Sequence, residues 1–300
     1  MALAALSGDE QRIVFSQLCN VLDPRGAVDF SSISHGLRAP TQALLQQLKA
    51  DHEAAGVLCG KMGMWSCKEL RKAKEIELKN TDLSASDLAL LGELGAALRV
   101  KHLILGERSA AGAGGVQRLV EGLGVGALPA MIFLKLVQPV GDAGASALAA
   151  ALGRGAMPRL KWLYLARAAI TDVGLLALAP VLRQRPALLG LNLTGNQLGD
   201  EGLAALLAPP PLAGAPSPPP TGGLTKLKSL RFGRTQITDT GCAALASALD
   251  SGALPALEQL DLHGIPASVA AKAAVKEALQ GVVEAAALAF DLSIYENTTY

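Results

Sequence analysis

The stretch "LLGLNLTGNQLGDEG" (residues 188–202) decides the fold. Leu191 and Leu193 stand two apart, Leu198 follows five later, Asn196 lies between them, and Gly202 closes the segment. A strand would keep alternating, and a helix would repeat every three or four positions. A segment that begins as a strand and then turns is a unit built for repetition, so copies are expected at a fixed period.

The copies run in both directions. Toward the N-terminus, "LKWLYLARAAITDVG" carries Leu163 and Leu165, and "IFLKLVQPVGDAG" carries Leu134 and Leu136. Beyond them lie Leu103 and Leu105 in "VKHLILGERSAAGAG", then Ile76 and Leu78 in "AKEIELKNTDLSASD". Toward the C-terminus come Leu230 and Phe232, Leu260 and Leu262, and an eighth pair, Phe290 and Leu292. All but one of the steps fall between 27 and 31 residues. The single step of 39 contains the Pro/Gly/Ser-rich run 208–223, which fits neither helix nor central strand and reads as a loop pushed out of one repeat.

Each unit reads as strand, turn and helix. The paired apolar residues face inward from a short strand, and the residue between them faces outward. Asn196 is placed to bond unpaired backbone groups at the turn. The segments around Asp172/Gly174, Asp200/Gly202 and Asp239/Gly241 lead into apolar runs at helical spacing, with Asp near each helix start. No unit can bury its apolar side alone, so the units must stack.

These residues resemble the leucine-rich repeat family, and the period with its helical outer layer resembles the ribonuclease-inhibitor-like subclass. The resemblance implies an α/β solenoid of seven to eight repeats over residues 73–300, with parallel strands on the concave side and helices on the convex one. Residues 103–115 lack the turn residue and 134–144 run one residue short, so an irregular curve or a local bulge is expected there.

Residues 1–58 read instead as a cluster of helices, joined to the repeats by a connector, 59–72. Ile13, Val14, Leu18 and Leu22 form one helical stripe. "DPRG" (23–26) ends that helix and starts a shorter one, "AVDFSSIS", and a third is expected from Thr41 to Ala55, capped by Thr41. Trp65 is expected to plug the joint to the first repeat. This region resembles a degenerate F-box, with Leu6, Ile13, Phe15, Leu18, Leu22, Pro24, Ile33 and Leu37 laid on that pattern. The resemblance implies docking of a Skp-type adaptor and, through it, a cullin. The other reading of the same helices is a cap over the open core of the first repeat.

Half the chain is hydrophobic, only 3% is aromatic, and the formal charge is +1. That balance supplies no broad basic face for nucleic acid. No stretch approaches a membrane span, and the apolar run after Met1 is too short for a signal peptide. Cys19, Cys59, Cys67 and Cys242 show no paired spacing and read as reduced thiols of a cytoplasmic or nuclear protein. The four histidines never fall at ligand spacing, so neither a metal nor a cofactor is expected, and no nucleophile, base and acid can be assembled into an enzyme's site. What remains is a surface. Phe133, Lys135, Trp162, Tyr164, Asn192, Arg231 and Asp261, with His263 beside them, are the outward residues that a partner protein would meet. Aromatic and Arg clusters of this kind make interface hot spots. The expected function is protein–protein interaction, as a ubiquitin-ligase substrate receptor, or as a stand-alone scaffold or GTPase-regulating repeat protein.

Overall fold

The computed structural model describes residues 7, 10–11, 13–15, 19–32, 35–78, 81–106, 112–137, 139–207 and 223–296. The Pro-rich run 208–223 lies outside these residues except for Gly223. Residues 10–11 and 13–15 are helical, and the next elements are α1 (Arg25–Ser32), α2 (His35–Lys61) and α3 (Cys67–Lys72). Strand–helix units then follow as β1 (Glu75–Leu78), α4 (Ala85–Glu93), β2 (His102–Leu105), α5 (Gly112–Glu121), β3 (Phe133–Leu136) and α6 (Gly141–Gly153). They continue as β4 (Trp162–Tyr164), α7 (Asp172–Arg183), β5 (Gly190–Asn192), α8 (Asp200–Leu207), β6 (Ser229–Arg231) and α9 (Asp239–Asp250). The last are β7 (Gln259–Asp261) and α10 (Val269–Glu296).

The seven strands form one parallel sheet in sequence order. Ile76, Leu103, Leu134, Leu163, Leu191, Leu230 and Leu260 are direct partners across it. All but the last, on the edge strand, are at most 3% exposed. Each such leucine contributes on the order of 1.5–3 kcal/mol by leaving water. They join the inward residues of the helices in one continuous core, which is the stacking that the period requires.

Two polar devices lock units to their neighbours from β3 onward. Asn196, 2% exposed, accepts from the Ala168 and Ile170 amides at 3.0 and 3.1 Å and donates to the Leu165 and Leu193 carbonyls at 2.7 and 2.8 Å. Its side-chain amide is thereby fully used. The aspartates act one unit ahead of themselves. Asp142 accepts from the Thr171 and Gly174 amides, at 2.8 and 3.0 Å, at the start of α7. Asp172 accepts in the same way from Gly199 and Gly202, Asp200 from Thr238, and Asp239 from Ser268. Gly202 leaves the room this needs, because a Cβ there would stand 2.5 Å from Asp172 Oδ1.

Several expectations are corrected. Residues 290–292 belong to α10, not to an eighth strand, because the Ala-rich run before them carries no turn residue and helix simply continues. The third N-terminal helix spans His35–Lys61, with Pro40 at its sixth position, where only one backbone bond is lost. Thr41 therefore lies inside the helix rather than at its start; it is buried, with Oγ1 3.1 Å from Ser31 Oγ. The expected boundary after residue 58 falls within this helix. No bulge interrupts β2 or β3, whose pairing is regular over four residues. The short spacing after β3 is absorbed by Gly141 at φ +65°, whose amide bonds the Ala168 carbonyl at 2.9 Å. Trp65 is 95% exposed, and the joint is closed by the buried Cys59, Cys67 and Leu70 instead.

Candidate functional site

Strand pleating presents two columns of outward side chains on the sheet. One runs Glu75, His102, Phe133, Trp162, Gly190, Ser229 and Gln259, and the other Glu77, Ile104, Lys135, Tyr164, Asn192, Arg231 and Asp261. Seven of the eight residues assigned from sequence to partner binding fall in these columns. His263 does not. It lies in the turn after β7, exposed, and its carbonyl accepts from the Arg234 amide at 2.6 Å.

The aromatic residues form one connected row. The rings of His102 and Phe133 meet edge-on at 6.0 Å, Phe133 and Tyr164 at 5.1 Å, and Tyr164 and Trp162 edge-on at 6.5 Å. Such tilted contacts are the favoured geometries for aromatic pairs. Phe133, Tyr164 and Trp162 are half-buried, so each is held in place while still showing a face to solvent. The Trp162 ring leans across to β5 and covers Gly190, where any Cβ would run into its six-membered ring. One indole thus fills two positions of the column. Gly190 is the site residue that sequence reading passed over, and the signal was a missing side chain directly across from a tryptophan.

Charge flanks this row. Lys135 sits between Ile104 and Tyr164, and Arg231 stands beside Asp261 on the next strand. Neither cation forms an ion pair among the described residues. Asn192 Oδ1 is committed to its own turn, accepting from the Thr194 amide at 3.0 Å. Asp261 Oδ1 likewise accepts from the His263 amide at 2.9 Å.

Of the residues assigned to adaptor docking, the four with described side chains do not share one surface. Phe15 is fully buried in a small separate cluster with Ala27, Phe30 and Leu48, its ring 6.1 Å from that of Phe30. Leu22 is part of the main core. Both serve the chain's own interior. Ile13 is 63% exposed, and Pro24 is half-buried just before α1. Leu6, Leu18 and Ile33 lie outside the described residues, as does the side chain of Leu37.

Among the described residues, no group of three or more His, Cys, Asp and Glu side chains could hold a metal ion. None of the described helices is long and apolar enough to cross a membrane. Comparison with protein families finds that residues 188–207 and 223–246 match the leucine-rich repeat model. These are the units of β5–α8 and β6–α9. No curated protein matches the chain significantly.

Proposed function

We propose that the chain is a protein-interaction module that grips its partner with the row from His102 to Trp162 on the concave sheet. Leucine-rich repeats are scaffolds for protein partners, and the one observation that carries the assignment to this face is its aromatic row. The fold has no need of it: inward leucines already supply the core, so large rings on the opposite face cost solvation without adding to that core. Preset aromatic rings lose little conformational freedom on binding, which is why interface hot spots favour them. Lys135 and Arg231, which flank the row and form no ion pair among the described residues, are suited to acidic groups on the partner's rim.

The test is capture of a partner by the full chain, followed by titration with a Trp162→Ala/Tyr164→Ala variant. The expected loss is about 2 kcal/mol or more, roughly thirtyfold in affinity. A partner held equally by both proteins would remove this face from the function.

A second reading is the substrate receptor of a cullin–RING ligase. The observation in its favour is exposed apolar surface near the N-terminal helices, Ile13 at 63%, Val57 at 61% and Trp65 at 95%. Against a wholly independent adaptor module stands the continuity of Leu22, Leu58 and Leu70 with the repeat core, as a cap requires. The full chain and its Ile13→Asp/Trp65→Ala variant should differ in Skp-type adaptor capture if this reading holds. Equal capture, or none by either, leaves the helices as a cap on a stand-alone scaffold.

A further inference from the structure

The formal charge of +1 averages over a strong segregation. Where the N-terminal helices meet the first repeats, a cavity of about 510 Å³ is lined by seven cationic side chains and a single carboxylate, Asp23. Two of those cations share that one carboxylate. Arg25 bonds both Asp23 oxygens at 2.7 and 2.9 Å, and Arg71 reaches Asp23 Oδ2 at 3.2 Å. The other five, Lys68, Lys72, Lys74, Arg99 and Lys101, are exposed and form no ion pair among the described residues.

The fold imposes this crowding. Lys74 and Lys101 immediately precede β1 and β2, and the Lys101 amide bonds the Lys74 carbonyl at 2.6 Å. They therefore occupy adjacent rungs, about 4.8 Å apart, where like charges oppose each other. Lys68 and Lys72 lie one helical turn apart on α3, and Arg99 lies two residues before Lys101. Charges converging from three elements onto one hollow destabilise the unliganded chain and are relieved by a dense anion.

We infer that this cavity binds a compact ligand bearing clustered phosphate groups. Arginine forks and lysine ammonium groups together suit phosphate oxygens, and the paired Arg25 and Arg71 bracket one side of the hollow. A nucleic-acid strand fits less well, since no aromatic side chain lines the cavity to stack a base. The cavity lies at the strand starts and shares no lining residue with the aromatic row, although Lys101 directly precedes His102.

The probe is inorganic tripolyphosphate, titrated calorimetrically into the full-length chain, with citrate and sulfate compared at matched ionic strength. Tripolyphosphate should bind, raise the melting temperature, and weaken with added salt. Lys74→Gln/Lys101→Gln should lower its affinity about tenfold, while Lys228→Gln, which removes a lysine paired with Glu258 further along the same edge, should not. Circular dichroism establishes that both variants are folded. Phosphatidylcholine vesicles carrying a phosphatidylinositol bisphosphate separate the two sources of such phosphates. Co-sedimentation that the double variant loses marks a lipid headgroup, and its absence with tripolyphosphate bound marks a soluble ligand. No binding of tripolyphosphate, binding no tighter than citrate or sulfate, equal affinity in the double variant, or tighter binding of oligothymidylate would each overturn the inference.

Discussion

The Asp172 carboxylate occupies the space that a side chain at position 202 would need, and it accepts the Gly202 amide at 2.9 Å. The two residues belong to successive units and are matched in shape and in hydrogen bonding. The match in shape recurs between Asp142 and Gly174, and between Asp200 and Gly241, so the glycines after Asp172, Asp200 and Asp239 are each the seat of the previous unit's carboxylate.

A double-mutant cycle measures that match. Asp172→Ala strands the Gly199 and Gly202 amides and should cost about 1–3 kcal/mol in urea denaturation. Gly202→Ala overpacks the same seat and should cost a similar amount, about 1–3 kcal/mol. The double variant should lose less than the sum, by about 1 kcal/mol, since the added methyl then meets no carboxylate. Simple additivity would mean that the two residues do not share the space.

On the concave face, Gly190→Ala should displace the Trp162 ring. In a Trp65→Phe background, Trp162 is the sole indole, because the chain has two tryptophans. Its emission should move to longer wavelength as the ring loses its seat, and iodide quenching should increase. An unchanged spectrum would mean that the indole does not rest on Gly190.

Asp23 supplies a test by pH. The hydrogen bonds from Arg25, and then the charges of Arg25 and Arg71, hold its carboxyl down at about 2. An unperturbed aspartate titrates near about 3.9. A folded-state value below the unfolded one stabilises the fold above the unfolded value, and this contribution is lost as pH falls toward the folded one. Carbon-13 titration should therefore find the Asp23 midpoint near about 2, and Arg25→Ala should raise it toward the ordinary value. A midpoint already normal in the unaltered chain would disprove the shared pairing.

Thiol reactivity checks the joint between helices and repeats. Burial, and then the neighbouring Cys67, push the Cys59 thiol up to about 12, and burial also raises Cys19 and Cys242. Since the thiolate is the reactive form, Cys59 should resist an aromatic disulfide reagent at mildly alkaline pH until urea is added. Prompt labelling of Cys59 in the folded chain would show that the joint is open.

The arc was legible in sequence wherever information repeats. Seven inward pairs at a nearly constant step specify seven strands and their register, since a one-residue slip would turn every leucine outward. Local spacing failed where it imitated a unit without its turn. Phe290 and Leu292 have the right separation, but the helix-forming run before them decides their state. Lateral relationships were invisible for another reason. Trp162 resting on Gly190, Cys59 Sγ lying 4.0 Å from Cys67 Sγ, and Lys74 beside Lys101 all depend on which chain segments the fold sets side by side. Trp65 was misplaced because aromatic character alone does not say which way a short connector turns.

The aspartate relay has a direction. Every carboxylate secures the helix start of the unit that follows it in the chain, never of the one before. Removing units from the C-terminal end leaves these surviving helices properly begun, whereas a cut that takes Asp142, Asp172, Asp200 or Asp239 from the other end orphans the helix that each one serves. From Asp142 onward, the bonds at each helix start are therefore complete only with the unit before it in place, which is the order in which a ribosome would release them.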